Sequence, residues 1–309
     1  MIRSLRRISG ALAAAALLLS PPLAAQRQPA AEAAVPPLPV DVRLVSDSTG
    51  NLLVHLGSDG AFLVGHQTPS LVARTRQVLA SLPPTRVRYV LATTGDSAVR
   101  AGDAGWTRDG AVVVAHEGIR NRIRREARND STALRRLPML GFSNVFQIRI
   151  NDDEIHAVHH PAGYSDGDVI VHFEDRQFLY LGSLFTSDGY PALDLEHGGS
   201  VEGLIRTAKE FVDTYREYKD LVEPIVPGRG PLASWQDLAD YLTMLVAVRD
   251  RVKPMVAAGR KLEEVVASRP TAEFDARWGR GPVAPARFVE MVYRSLSNGT
   301  ATPATGSHH

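Results

Sequence analysis

The chain has 309 residues, 44% hydrophobic and 22% charged, enough to bury a substantial core in one large domain or two small ones. Lys and Arg number 35 against 34 Asp and Glu, and this near-neutrality excludes the electrostatic footprint of a DNA-, RNA- or anionic-lipid-binding surface. The absence of cysteine excludes disulfides, thiolate metal ligands and a lipidated cysteine.

Residues 1–25 read as an export signal. Arg3, Arg6 and Arg7 form a basic start, Ile8 to Leu19 an apolar run, and Leu23-Ala24-Ala25 a small-residue site that suits a signal peptidase. The run is shorter than the roughly 20 residues that span a bilayer. Cleavage after Ala25 is therefore expected, with a periplasmic or secreted product that keeps no stable membrane anchor. Losing the signal's three arginines leaves 32 basic residues against 34 acidic. Arg6-Arg7 raises the twin-arginine route, but the following Ile-Ser-Gly matches it poorly and favours Sec export. Residues 26–40 are an Ala/Pro-rich lead-in. A single domain is expected over 41–296, followed by a disordered polar tail over 297–309.

From Asp41 the chain reads as short apolar strands, Val42 to Val45, Leu52 to Leu56 and Ala61 to Val64, separated by Gly-containing turns. Thr68-Pro69 supplies an N-cap and a first-turn proline for a helix to about Leu82. Strands at Val87–Leu91 and Ala111–Ala115 and a helix from Glu117 to about Arg128 follow, then a surface loop over 129–144. The second half repeats the order. It has strands at Val145–Ile150, Glu154–Val158, Val169–Phe173 and Phe178–Leu181, a helix from Val201 to about Tyr218, and a short strand at Pro224–Val226. Helical periodicity then runs from Ser234 to about Val266, with a kink or break near Pro254. Two strand-rich halves, each with helices, fit two facing sheets with helices outside.

Four stretches, in order, resemble the metallo-β-lactamase superfamily. Val87 to Thr93 resembles the strand that leads into the family's His-x-His-x-Asp-His loop, and Ala111 to Glu117 the strand and helix start beyond it. Pro161 to Val171, with Ser165-Asp166-Gly167-Asp168, resembles the segment that carries a later metal histidine. Tyr180-Leu181-Gly182-Ser183, continued by Tyr190 to Asp194 and Gly198-Gly199-Ser200, resembles the strand ending in Gly-Asp. Pro227-Gly228-Arg229-Gly230-Pro231 resembles the Pro-Gly-His-Gly-Pro turn. The resemblance covers roughly residues 41–250 and implies an α/β fold, the αββα sandwich of two facing mixed sheets with helices outside.

It also implies where the family's metal ligands would stand, and those positions hold other residues. They are Thr94, Asp96, Ala98, Val99, Tyr164, Ser183 and Arg229. Of the seven only Asp96 is an ordinary zinc donor, whereas zinc takes about four imidazole, thiolate or carboxylate groups. No zinc and no other cofactor is therefore expected. The resemblance further implies that all seven converge on one cavity, where Asp96 and Arg229 are expected to pair, with Tyr164 and Ser183 adding hydrogen bonds. Arg229 with those hydroxyls also suits a small anionic ligand.

A nucleophilic Ser183 needs a base within reach, and no histidine occupies a ligand position. His116 is expected to cap its helix or to pack there, and His159 and His160 to be structural. His55, His66, His156, His172 and His197 are scattered without a spacing that suggests a relocated site. Asp166, Asp168 and Asp194 read as turn-stabilising acids, and Gly198-Gly199-Ser200 as a helix start.

Three functions stay open at this point. The chain is a non-catalytic, ligand-binding pseudoenzyme, or an atypical or metal-free hydrolase of an ester, lactone or β-lactam-like substrate, or a structural subunit. In the last case Trp235, Leu238, Leu242, Leu245 and Val248 would form the interface, although core packing explains the same spacing.

Overall fold

The computed structural model describes residues 35–128, 130–134, 137–160, 162–215 and 223–300. The export signal, most of the lead-in and the last nine residues lie outside them. The first half runs β1 (Val42–Asp47), β2 (Gly50–Gly57), β3 (Gly60–Gly65), α1 (Pro69–Ala80), β4 (Val87–Ala92), α2 (Asp103–Arg108), β5 (Val112–His116), α3 (Glu117–Ala127), α4 (Ser131–Leu134) and β6 (Leu140–Phe142). The second runs β7 (Val145–Ile150), β8 (Asp153–His159), β9 (Val169–Phe173), β10 (Phe178–Thr186), α5 (Val201–Tyr215), β11 (Ile225–Arg229), α6 (Trp235–Ala257), α7 (Leu262–Ala267), α8 (Asp275–Trp278) and α9 (Pro285–Thr300).

One sheet has the order β1-β2-β3-β4-β5-β6 and the other β11-β10-β9-β8-β7. Both are mixed. β1, β2 and β3 pair antiparallel, while β4, β5 and β6 add parallel. In the second sheet β7 to β10 are antiparallel and β11 lies parallel to β10. Alternation along each strand splits its side chains between two cores. Leu53, Phe62, Val64, Leu91 and Val114 face the second sheet's Ile155, Val171, Phe173, Phe178 and Tyr180. Their neighbours Leu52, Val54, Ala61, Leu63 and Val90 pack outward with Leu71 of α1 and Trp106 of α2. Ile170, Leu179 and Leu181 pack outward against Leu204, Phe211, Tyr241, Leu245, Phe288 and Val292 of α5, α6 and α9. The layers are therefore helix, sheet, sheet, helix: the αββα sandwich. Covering both faces explains why most strands read as continuous apolar runs.

Local chemistry sets the helix starts as expected. The Thr68 hydroxyl accepts from the Leu71 amide at 3.4 Å with Pro69 in the first turn. Ser234 and Asp237 form a reciprocal capping box at the start of α6. The structure differs from the sequence expectations in five places. The presumed loop 129–144 contains α4 and β6, α2 interrupts the irregular stretch after β4, and β10 extends to Thr186. Pro254 sits inside the last turn of α6, and the helical region breaks only after Ala257, since a proline near a helix end displaces few bonds. Helix α9 continues to Thr300, past the expected domain end at Leu296. The candidate interface residues Trp235, Leu238, Leu245 and Val248 are buried in the core of this unit. Among the described residues no helix is long and apolar enough to cross a membrane.

Candidate functional site

The carboxyl ends of β3, β4, β10 and β11 meet at one end of the sandwich, the position where open α/β sheets present loops to ligands. A cavity of about 210 Å³ opens there. It is lined by Thr49, His66, Val99, Tyr164, Ser183 and Arg229, and by an apolar wall that includes Phe185, Tyr190, Pro191 and Val283.

The loop after β4 is shaped by Asp96. Its Oδ1 accepts from the amides of Ala98 at 2.8 Å and Val99 at 3.4 Å, and its own amide donates to the Thr94 hydroxyl at 3.3 Å. The Tyr164 hydroxyl donates to Asp96 Oδ2 at 2.9 Å. Tyr164 is held in turn by its loop. Asp168 accepts from the Ser165 amide at 2.9 Å and from the Ser165 hydroxyl at 2.8 Å, and the Tyr164 carbonyl accepts from the Asp194 amide at 2.9 Å. Ser200 caps α5 by accepting from the Gly203 amide at 2.9 Å, and it donates to the Ala162 carbonyl at 3.0 Å. The Ser-Asp-Gly-Asp turn and the Gly-Gly-Ser helix start thus brace the Tyr164 loop. Burial, then the charge of Asp96, pushes the Tyr164 phenol well above its ordinary pKa, so it stays a donor.

Of the seven positions that the resemblance singled out, Val99, Tyr164, Ser183 and Arg229 line the cavity. Asp96 reaches it through Tyr164, Thr94 is buried beneath the loop, and Ala98 is exposed on its outer side. The expected Asp96–Arg229 ion pair does not form. Arg229 ends β11 in register with Thr186 of β10, so its guanidinium falls on that strand's continuation. It lies 2.9 Å from Asp188 Oδ1 and donates to the Thr186 hydroxyl at 3.0 Å. Asp96 is meanwhile turned back onto its own loop. The two sheets are tied together instead by Asn51 of β2. Its buried side-chain amide donates to the carbonyls of Pro227 at 2.9 Å and Gly230 at 2.8 Å.

His66, which follows β3 directly, is the site residue that the sequence reading passed over. Its Nδ1 lies 3.2 Å from the Thr49 carbonyl, and its Nε2 lies 3.4 Å from Ser183 Oγ. A carbonyl only accepts, so Nδ1 carries the proton and Nε2 presents its lone pair to Ser183. Burial holds the ring's pKa below the usual histidine value, against the opposing pull of the Thr49 bond and of Asp96 and Asp47. Gly50 makes room for it: a Cβ there would lie 1.9 Å from His66 Nδ1, and its φ of +151° is one that side chains rarely adopt. The other histidines are placed elsewhere. His116 Nδ1 caps α3 by accepting from the Gly118 amide at 3.1 Å, and His159 stacks on it at 3.6 Å. His156 and His172 meet Glu174 on the outer face of the second sheet, at 3.3 and 2.8 Å.

The donor set does not fit a zinc centre. Among the described residues no group of three or more His, Asp or Glu side chains could hold a metal ion. Asp96 has both oxygens engaged, and the permanent cation of Arg229 lines the same cavity.

No family model and no curated protein matches the sequence. Solved structures do match. The stereoselective inverting sec-alkylsulfatase from Pseudomonas sp. superimposes with a TM-score of 0.65 at 13% identity, over 82% of this chain and 48% of that one. A double mutant of that enzyme matches with the same score and identity, over 87% of this chain and 52% of its own. A metallo-β-lactamase from Pontibacter korlensis matches with a TM-score of 0.53 at 15% identity, over 69% of this chain and 98% of that one. The chain thus spans about half the length of the alkylsulfatases. These likenesses establish the metallo-β-lactamase fold.

Proposed function

We propose that this chain is an exported protein of the metallo-β-lactamase fold that has given up the metal chemistry, and that it binds a small, mostly apolar molecule where related folds hold metal. The observation that carries this reading is how the polar groups of the cavity are satisfied. Tyr164 is paired with Asp96, and Arg229 with Asp188 and Thr186. The polar groups of the site are therefore satisfied by one another without a metal ion, while an apolar wall of Phe185, Tyr190, Pro191 and Val283 still frames open space. A metal ordinarily supplies a hydroxide near neutral pH and polarises the scissile group, and this donor set offers it no seat.

About 210 Å³ suits a metabolite-sized ligand with one polar end, for which Ser183, Thr49 and Arg229 are available. Asp188 offsets much of the Arg229 charge, so a neutral ester or amide competes well with a carboxylate for this wall. Ligand-detected NMR with matched short-chain carboxylates, esters and amides tests the reading. Binding should be lost in Ala192→Trp, which fills the mouth of the cavity from an exposed position. The same weak signal from both proteins for every compound would contradict it. Export is tested by intact mass after expression in a secreting host, where the chain should begin at Gln26. Retention of Arg3 to Leu19 on a membrane-bound product would mark that segment as an anchor.

A further inference from the structure

We propose that Ser183 is a nucleophile activated by His66, and that the cavity cleaves short-chain carboxylic esters without a metal. This rests on the reading of the cavity as a small-molecule pocket and adds a covalent step to it. The geometry is that of an activated hydroxyl: a nucleophile, a base that accepts its proton, and a third group that orients the base. Ser183 Oγ and His66 Nε2 are 3.4 Å apart, a separation that tightens when a substrate closes such a site. The Thr49 carbonyl is the orienting group and sets the tautomer. It is itself fixed, since the Thr49 amide donates to Asp47 at 2.7 Å and its hydroxyl lies 2.9 Å from that of Thr68.

The backbone is shaped around this pair. Gly182 takes a φ of +54° immediately before Ser183, and the pairing of β10 with β11 shifts register on either side of it. This irregularity lifts Ser183 out of the ladder. Gly228 packs against the same spot: a Cβ on it would lie 2.4 Å from the Gly182 carbonyl and 2.9 Å from the Ser183 amide. Ser183 and His66 both line the cavity, as does Arg229, the one permanent cation among its described lining residues.

The chemistry balances with an ester and water alone. Ser183 Oγ bonds to the ester carbonyl carbon as its proton passes to His66 Nε2. The carbon–oxygen bond to the alcohol then breaks, and the alcohol leaves with that proton. Water, deprotonated by His66, attacks the acyl group on Ser183; the carboxylic acid departs and the hydroxyl is restored. The apolar wall and the small volume favour acyl groups of a few carbons.

The test uses the full chain with p-nitrophenyl acetate, p-nitrophenyl butyrate and an alkyl fluorophosphonate. Peptide mapping should place one acyl or phosphonyl group on Ser183, absent from Ser183→Ala, with labelling at least ~100-fold slower in His66→Gln. His66 is buried, so His66→Gln could fail to fold, and the pH profile of the wild type is the second measurement. His66 is faced by Asp96, Asp47 and Arg229 as well as Ser183 and the Thr49 carbonyl. The labelling rate should fall on the acid side through a single ionisation below about 6.5, the ordinary histidine value. Fluorophosphonate that leaves Ser183 unmodified, while NMR still detects neutral esters in the cavity, would overturn the nucleophile and leave the pocket standing. If the esters do not bind at all, the pocket reading itself fails.

Discussion

The Tyr164 hydroxyl donates to Asp96 Oδ2 at 2.9 Å across 68 positions of sequence. These two residues stand where the resemblance places metal ligands of two separate loops, and here they bond directly to each other. The contact joins the loop after β4 to the loop before β9, so part of the linking work of a metal passes to a hydrogen bond.

Hydrogen bonds to a charged acceptor contribute about 1.5–3 kcal/mol. Tyr164→Phe should therefore lower stability by roughly that amount in urea unfolding, and a cycle with Asp96→Asn should recover most of it as coupling. The corresponding Asp96–Arg229 cycle should give coupling near zero, since Arg229 is engaged by Asp188 and Thr186. Strong Asp96–Arg229 coupling with none between Tyr164 and Asp96 would mean that the loop is arranged otherwise in solution.

Asn51 supplies the second tie. Asn51→Ala leaves the buried carbonyl of Pro227 and the half-buried carbonyl of Gly230 without their donor. The expected loss is about 2–4 kcal/mol, about one to three for the buried Pro227 carbonyl and about one for the half-buried Gly230 carbonyl. Asn51→Asp should cost more, because it sets an acceptor against two acceptors. Guanidinium melts that show no loss for Asn51→Ala would remove Asn51 as the link between the sheets.

Asp103 gives a pH dependence with a definite sign. It is 5% exposed, beside Arg100 at 3.7 Å, and burial pushes its carboxyl up to about 7 despite that cation. The native state therefore holds a proton that the unfolded chain releases near 3.8. The group's contribution is fully present below that value and is lost as pH rises through about 7. Asp103→Asn removes this loss, so the variant should improve relative to wild type between pH 5 and pH 7.5, by on the order of 1–3 kcal/mol. A stability difference that is flat with pH would show Asp103 ionised throughout.

The layered fold was legible because both sheets are covered on both faces, so strands such as Val87 to Leu91 and Val169 to Phe173 stand out as apolar runs. The capping signals at Thr68 and Ser234 and the turn around Asp168 are local chemistry, and they carried through to the structure. Partnerships were not legible. Asp96 was matched with Arg229 from shared ligand positions alone, but the strand register that sets Arg229 beside Thr186 is a long-range property. His66 has no neighbouring motif, and its partner Ser183 is 117 positions away. The nearest signal was its place after an apolar strand, buried from Ala61 to Gly65, at the sheet edge where sites form.

Zinc binding tests whether paired side chains have taken the place of a metal in this cavity. The purified protein, freed of metal and then dialysed against zinc, should carry well under one equivalent by elemental analysis. Its melting temperature should not move, because only a ligand that favours the native state raises it. One stoichiometric zinc that survives a chelator, stabilises the fold and is lost on Asp96→Asn or His66→Gln would contradict the account.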